Sequence, residues 1–290
     1  MSNANLIAAR QSKNDEFYTR LEDIEKELEH YRQHFQGKTV YCNSNDNDSN
    51  FHRFFTEHFA ELGLKKAIFT GYSKGKHGEA VIYDGKTEYH TILNGDGDFR
   101  STECVEFLKE SDIVVSNPAF SMFREYIAQL MEYRKKFLVI GNKNAITYKE
   151  VFPLIKDNKI WLGVTSPKTF LKPDGTIRKF GNIGWFTNLE HHKRHEKLFL
   201  TKHFSEKYVT YDNYTAIEVS RTCYIPVDYD GYMGVPITFI DKYNPEQFQI
   251  IGMMSVANGY GFVNGNDGRK KLYLGGKGVY ARIIIKHIRR

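Results

Sequence analysis

The sequence predicts an α/β protein: a doubly wound, Rossmann-like sheet ending near Leu189, followed by a smaller irregular lobe. Three observations carry this. Short β-branched runs alternate with segments of helical periodicity from Thr39 to Leu189. The alternation opens with a strand, helix, strand succession. Beyond Leu189 the texture changes to Tyr/His/Lys-rich stretches, with Pro226, Pro236 and Pro245 and a glycine-dense end from Gly252 to Gly278. The expected domains are therefore 1–190 and 191–290.

The first expected element is an amphipathic helix within Asp15 to Phe35, with Ile24, Leu28, Tyr31 and Phe35 on one face and Gly37 as its stop. Thr39-Val40-Tyr41-Cys42 follows as a strand, then a helix presenting Phe51, Phe55, Phe59 and Leu62, then the strand Ala67-Ile68-Phe69-Thr70. Ala80 to Leu93 surrounds Asp84-Gly85, a hairpin turn signal, and is expected as an antiparallel excursion. Further alternation places a strand at Ile113-Val114-Val115 with a helix carrying Met122, Tyr126, Leu130 and Tyr133. It also places a strand at Phe137 to Ile140 with a helix from about Thr147 to Lys156, and strands at Ile160 to Val164 and Trp185 to Leu189.

Composition bounds the function. With 290 residues, 41% of them hydrophobic and 14% aromatic, the chain can bury a substantial core. It contains no apolar run of the roughly 18 residues that a membrane span needs, and Met1 to Arg10 lacks a signal-peptide core, so a cytoplasmic location is expected. Cys42, Cys104 and Cys223 have no paired spacing, which argues against disulfides and zinc knuckles. His191, His192, His195 and His203 cluster without a completing carboxylate or cysteine, so no metal is expected. The net charge is +6, and Arg269 to Arg290 carries Lys and Arg with no Asp or Glu. That run, with Lys193 and Arg194, suits phosphate contacts through Arg269, Lys270 and Lys271; the competing reading is a solvated face.

Ligands of open α/β sheets lie beyond the carboxyl ends of the strands, where this chain gathers polar clusters. Cys42 to Asp48 contains no glycine, which disfavours a pyrophosphate cofactor and suits a ligand without phosphate, such as S-adenosylmethionine. In Asn94 to Arg100, Asp98 and Phe99 can hold an adenine by hydrogen bond and stacking; the alternative is a turn that caps the next helix. Ser116-Asn117-Pro118-Ala119-Phe120 ends a buried strand. The Asn117 side-chain oxygen and the Pro118 carbonyl are two acceptors able to pull on the hydrogens of an adenine amine, whose lone pair is otherwise delocalised into the ring. Phe120 offers a stacking face for a flipped base. The alternative is a strand-to-helix turn in which Asn117 starts the helix.

Several segments together resemble the EcoRI-type adenine-specific DNA methyltransferases: Lys13 to Thr19, Val40 to Asn43, Gly95 to Ser101, Ser111 to Pro118, Ile146 to Phe152, Tyr211 to Tyr214 and Gly234 to Phe239. The resemblance covers nearly the whole chain. It implies methyl transfer from S-adenosylmethionine to an adenine amine in double-stranded DNA, on a methyltransferase sheet at 1–190 with target recognition in 191–290, beside a cognate restriction endonuclease or as an orphan modifier. It implies Asn117, Pro118 and Phe120 as the catalytic residues of the Asn117–Phe120 tetrad, and Phe17, Tyr18, Thr19, Asn43, Asp46, Asp98, Phe99 and Asn117 around the cofactor. Two departures stand out: Ala119 replaces the usual second proline, and Phe69-Thr70-Gly71-Tyr72 supplies no acidic residue for a ribose. An RNA adenine methyltransferase, or a nucleic-acid-binding homologue impaired in catalysis, would share these features.

Overall fold

The structure is a computed structural model that describes residues 17–44, 49–73, 75–172 and 175–288. It divides into two compact units: the chain up to Lys143 with Gly163–His191, and Asn144–Leu162 with His192 onward.

The first unit is mixed α/β. Its strands are β1 (Tyr18–Thr19), β2 (Thr39–Ser44), β3 (Lys66–Gly71), β4 (Glu79–Tyr83), β5 (Glu88–Ile92), β6 (Ile113–Ser116), β7 (Lys136–Asn142), β8 (Thr169–Leu171), β9 (Ile177–Lys179) and β10 (Ile183–Thr187). The main sheet of this unit runs in the order β5-β4-β3-β2-β6-β7-β10. Its centre is parallel, with Val40 paired to both Ala67 and Ile113 and with Val115 to Leu138. The β4/β5 hairpin is the expected antiparallel excursion, and β10 adds antiparallel to β7, with Trp185 opposite Ile140. Strands β6 and β10 are buried along their whole length, as continuous apolar runs covered on both faces must be. A smaller sheet, β1-β8-β9, pairs Thr19 with Phe170.

Helices α1 (Leu21–Leu28), α2 (Asn50–Glu57), α3 (Thr102–Glu110) and α4 (Phe123–Glu132) lie between these strands. The long first helix expected to reach Phe35 tightens into a 3₁₀ turn after Leu28, yet Tyr31 and Phe35 remain buried beside Ile24 and Leu28. Ser49 and Ser101 cap α2 and α3 by accepting from the amides of His52 and Cys104. Buried in this unit is Glu27, fully shielded from solvent, whose carboxylate accepts from Val164 N at 2.8 Å, Thr165 N at 2.6 Å, Thr165 Oγ1 at 2.5 Å and the Tyr31 hydroxyl at 2.9 Å. It ties α1 to the 163–165 segment, and burial pushes its carboxyl pKa up against the opposing pull of those donors.

The second unit is less irregular than its proline and glycine content suggests. It holds a five-stranded sheet of β11 (Thr210–Tyr211), β12 (Tyr214–Glu218), β13 (Tyr232–Pro236), β14 (Phe248–Met254) and β15 (Arg282–His287), in the order β11-β12-β13-β15-β14. Ile283, Ile284 and Ile285 are fully buried in β15, between β13 and β14. The units also differ from a boundary at residue 190, because Asn144–Leu162 belongs with the second. There the Phe152 ring meets Phe262 at 5.5 Å, and Tyr260 donates to Asp157 at 2.7 Å. The helix expected over Thr147 to Lys156 is reduced to Phe152–Lys156, and the strand expected over Ile160 to Val164 to Trp161–Leu162.

Candidate active site and nucleic-acid interface

The carboxyl end of the parallel strands gathers the sequence-predicted residues of the first unit. Asn43, near the end of β2, donates through Nδ2 to Thr70 Oγ1 on β3 at 2.7 Å and to the Gly97 carbonyl at 3.4 Å. Its own carbonyl accepts from the Ser116 hydroxyl at the end of β6. One asparagine thus joins two strand ends to the Gly95–Phe99 loop. That loop passes so close to β3 that a Cβ on Gly97 would stand 2.2 Å from the Gly71 carbonyl oxygen, and Gly97 has φ +81°, so only glycine fits there.

Asp98 follows directly. Its Oδ1 accepts from Arg100 N and Nε, both at 2.9 Å, and its Oδ2 from Arg100 Nη2 at 2.6 Å, while Arg100 Nη1 reaches Glu125 at 2.9 Å. The bond to Asp98 is the main reason that the Arg100 pKa is raised. Since α3 is capped by Ser101, Asp98 is not its cap. Phe99 packs edge-on against Tyr126, centroids 5.0 Å apart. Glu103 at the start of α3 secures the loop, accepting from Asn94 N and Gly95 N at 3.0 Å each, and these bonds hold its carboxyl below the usual range.

The tetrad does not act as a helix cap. After β6 the chain turns through a 3₁₀ segment, Phe120–Met122, and α4 is preceded by Met122. Asn117 instead donates through Nδ2 to the Phe17 carbonyl at 2.6 Å. A carbonyl can only accept, so this bond fixes the amide: nitrogen toward Phe17, Oδ1 away from it as an acceptor. Pro118 is buried and Phe120 half-buried. Ala119 has φ −51°, a value within the range of a proline ring, and its carbonyl accepts from Met122 N at 2.9 Å to close the turn.

Phe17, Phe120 and Phe180 form an aromatic wall. Phe17 lies 6.1 Å from Phe120 at an interplanar angle of 28°, and 4.7 Å from Phe180 edge-on. The Arg178 guanidinium covers Phe17 and Phe180 at 5.4 and 5.0 Å. Tyr18 and Thr19 form β1, and the Thr19 carbonyl accepts from Asn50 at 2.7 Å. The Thr19 hydroxyl is buried and has no hydrogen-bond partner among the described residues. Asp46 lies outside the described residues. Sequence reasoning missed Thr70, Arg178 and Phe180. A polar residue closing the apolar run Ala67-Ile68-Phe69 was a usable signal for Thr70, whereas the other two stand in a polar hairpin without periodicity.

The basic residues divide by occupation. Arg194 stacks on Trp161, 3.8 Å from the ring centre, and donates to Asn158 at 3.1 Å. Arg269 lies 3.9 Å over Tyr273 and pairs with Asp267. Lys270 and Lys271 are exposed, and neither pairs with a carboxylate among the described residues. Arg282, within the basic run, is turned inward to a shielded ion pair with Glu218 at 2.8 Å. The histidines disperse: His191 packs on Tyr31 at 5.7 Å, His195 meets Glu246 at 3.1 Å, and His203 meets Asp228 at 2.9 Å. Among the described residues, no group of three His, Cys, Asp or Glu side chains could hold a metal ion, and no helix is long and apolar enough to cross a membrane.

Comparison with known proteins bears on this arrangement. The profile of the family described as "Adenine-specific methyltransferase EcoRI" matches residues 5–92 and 81–288. The chain is 45% identical to Type II methyltransferase M.EcoRI of Escherichia coli, across 99% of this chain and 98% of that protein. It is 38% identical to Type II methyltransferase M.MgeORF184P of Mycoplasma genitalium, across 96% and 97% of the two chains. With Type II methyltransferase M.MpnI of Mycoplasma pneumoniae the identity is 37%, across 96% of each. No solved structure matches the chain significantly. With the profile spanning nearly every residue and three full-length relatives above 30% identity, the chain belongs to the EcoRI family of adenine-specific methyltransferases.

Proposed function

We propose that the protein is a site-specific DNA methyltransferase that moves the methyl group of S-adenosylmethionine to the exocyclic amine of an adenine flipped out of double-stranded DNA. The single observation that carries this reading is the Asn117 amide, anchored through nitrogen on the Phe17 carbonyl with its oxygen left to accept. Oδ1 and the Pro118 carbonyl each take one amine hydrogen, which draws the nitrogen lone pair out of conjugation and aims it outward. Phe120 stacks on the base, worth about 1–3 kcal/mol. The cofactor supplies an electrophilic methyl carbon on a sulfonium. With that group bound, the amine lone pair would form the new N–C bond as the S–C bond breaks, and one amine proton would pass to solvent.

The first unit serves in this reading as the doubly wound, Rossmann-like cofactor sheet, and its residues fit S-adenosylmethionine. The buried Thr19 hydroxyl, without a hydrogen-bond partner among the described residues, can take a polar ligand atom. Asn43 donates to the Gly97 carbonyl, which places it beside Asp98 and Phe99, the pair proposed to meet the cofactor's adenine. The second unit serves as the target-recognition region, with Lys193, Lys270 and Lys271 as phosphate contacts. Arg194 and Arg269 contribute there chiefly by packing on Trp161 and Tyr273. Work in the cytoplasm beside a cognate restriction endonuclease completes the proposal.

The test is Asn117→Ala. Losing an acceptor that strengthens in the transition state should cost about 2.7–4 kcal/mol, or some hundredfold to thousandfold in rate, by analogy with removal of one oxyanion-hole donor. Wild-type methylation by a folded Asn117→Ala protein would remove the tetrad from the chemistry.

A further inference from the structure

The Tyr211-Asp212-Asn213-Tyr214 segment has no part in the chemistry above, yet its two central residues bond along residues 266–276. Asn213 is buried, and its Nδ2 donates to Asp267 Oδ1 at 3.2 Å and to the Lys271 carbonyl at 2.9 Å. Its Oδ1 accepts from Tyr273 N at 3.1 Å, and its own carbonyl accepts from Asn266 N at 2.7 Å. A Cβ on Gly265 would stand 2.3 Å from Asn213 Nδ2, so the loop closes directly onto this side chain. The exposed Asp212 carboxylate takes the next stretch, accepting from Gly275 N at 3.1 Å and Gly276 N at 2.8 Å. Two adjacent side chains therefore secure residues 265–276 at both ends and at the backbone of Lys271.

We propose that the Asp212–Asn213 turn is a positioning device that holds this glycine-rich loop in one conformation, so that Lys270 and Lys271 meet two phosphates of the DNA duplex together. The inference rests on the reading of this loop as a DNA contact. Its physical basis is entropic: a loop with many glycines loses much conformational freedom on binding unless it is already ordered. The lysines supply charge, while the turn fixes where that charge stands.

Charge and positioning predict opposite signs for one substitution. Asp212→Ala removes an exposed negative charge beside a basic loop, which by electrostatics alone strengthens DNA binding. By freeing Gly275 and Gly276 it weakens binding if the turn positions the loop. The experiment measures binding of the full-length protein to plasmid-derived duplex fragments across a salt series, for Asp212→Ala, Asn213→Ala and the pair Lys270→Gln/Lys271→Gln. The lysine pair should lower the slope of log K against log salt by about 1.8, at about 0.9 per phosphate. Asp212→Ala and Asn213→Ala should weaken binding several-fold and lower the slope in the same direction. Asp212→Ala added to the lysine pair should cause little further loss. Asp212 is exposed, so its variant reports even where Asn213→Ala folds poorly. An unaltered slope for the lysine pair overturns the DNA-contact reading and the proposal with it. A normal lysine effect with Asp212→Ala binding as tightly as wild type or more tightly overturns the positioning role alone.

Discussion

At the scale of single residues, the proposed chemistry depends on how one amide is oriented. Asn117 is held by a backbone carbonyl from the Phe17–Thr19 segment, 100 residues earlier in the chain, so the same bond that orients the acceptor also ties β1 to the tetrad. Ala119 is the family departure that most invites doubt about activity, and its backbone answers it. With φ at −51°, and no hydrogen bond from its amide among the described residues, proline fits without strain. Ala119→Pro should leave methylation unchanged and stabilise the fold by about 0.4–1 kcal/mol by restricting the unfolded chain, as thermal unfolding would report. A loss of stability would mean that the turn does not hold this conformation. Glu27 makes a second prediction. Its folded pKa is raised above 4.5, so the folded state holds the proton more tightly than the unfolded chain does. Its stabilising contribution is complete below 4.5 and is lost as pH rises through the folded value. Wild type should therefore exceed Glu27→Gln in stability by a margin that shrinks as pH rises, as denaturant titrations at several pH values would show. A margin that grows with pH would contradict it.

At the scale of elements, the Gly95–Phe99 loop forms the edge proposed for the cofactor. Asn43 and Glu103 hold it from two sides, and the close pass of Gly97 over β3 admits no side chain. Asp98→Ala should weaken S-adenosylmethionine binding by about 1–3 kcal/mol, the cost of a lost buried hydrogen bond, as calorimetry would measure. Gly97→Ala should disturb the same affinity by displacing the loop rather than by removing a contact. Unchanged affinity in a folded Asp98→Ala protein would take Asp98 out of the site. The strands and the βαβ order of this region were legible because buried parallel strands read as apolar runs and helices as periodic faces. The Glu27 staple was not, because it depends on partners far apart in sequence: Glu27 meets Val164 and Thr165. The short helix at Phe152–Lys156 misled for the same reason, since Phe152 is buried against Phe262, a contact that periodicity cannot see.

At the scale of the whole molecule, the chain forms two compact units, whose bounds depart from the single division at residue 190 that the sequence suggested. The tetrad and the Asp98-Phe99 pair could be proposed from sequence because the residues of each are contiguous. The division of the basic residues into exposed lysines and internally engaged arginines was not, because a charge run does not say which side chains find partners inside the fold. The five-stranded sheet of the second unit was hidden by the glycines and prolines of its connections, although Ile283-Ile284-Ile285 marks one of its inner strands. The central claim is adenine methylation of DNA through the Asn117 tetrad. Its most direct test is to incubate the full-length protein with labelled S-adenosylmethionine and plasmid DNA of broad sequence content, then map the modified bases. The account predicts label on the exocyclic amine of adenine, confined to one recurring sequence and absent when Asn117→Ala replaces wild type. Label on cytosine, label on RNA but not DNA, or no transfer to adenine in any sequence would contradict it.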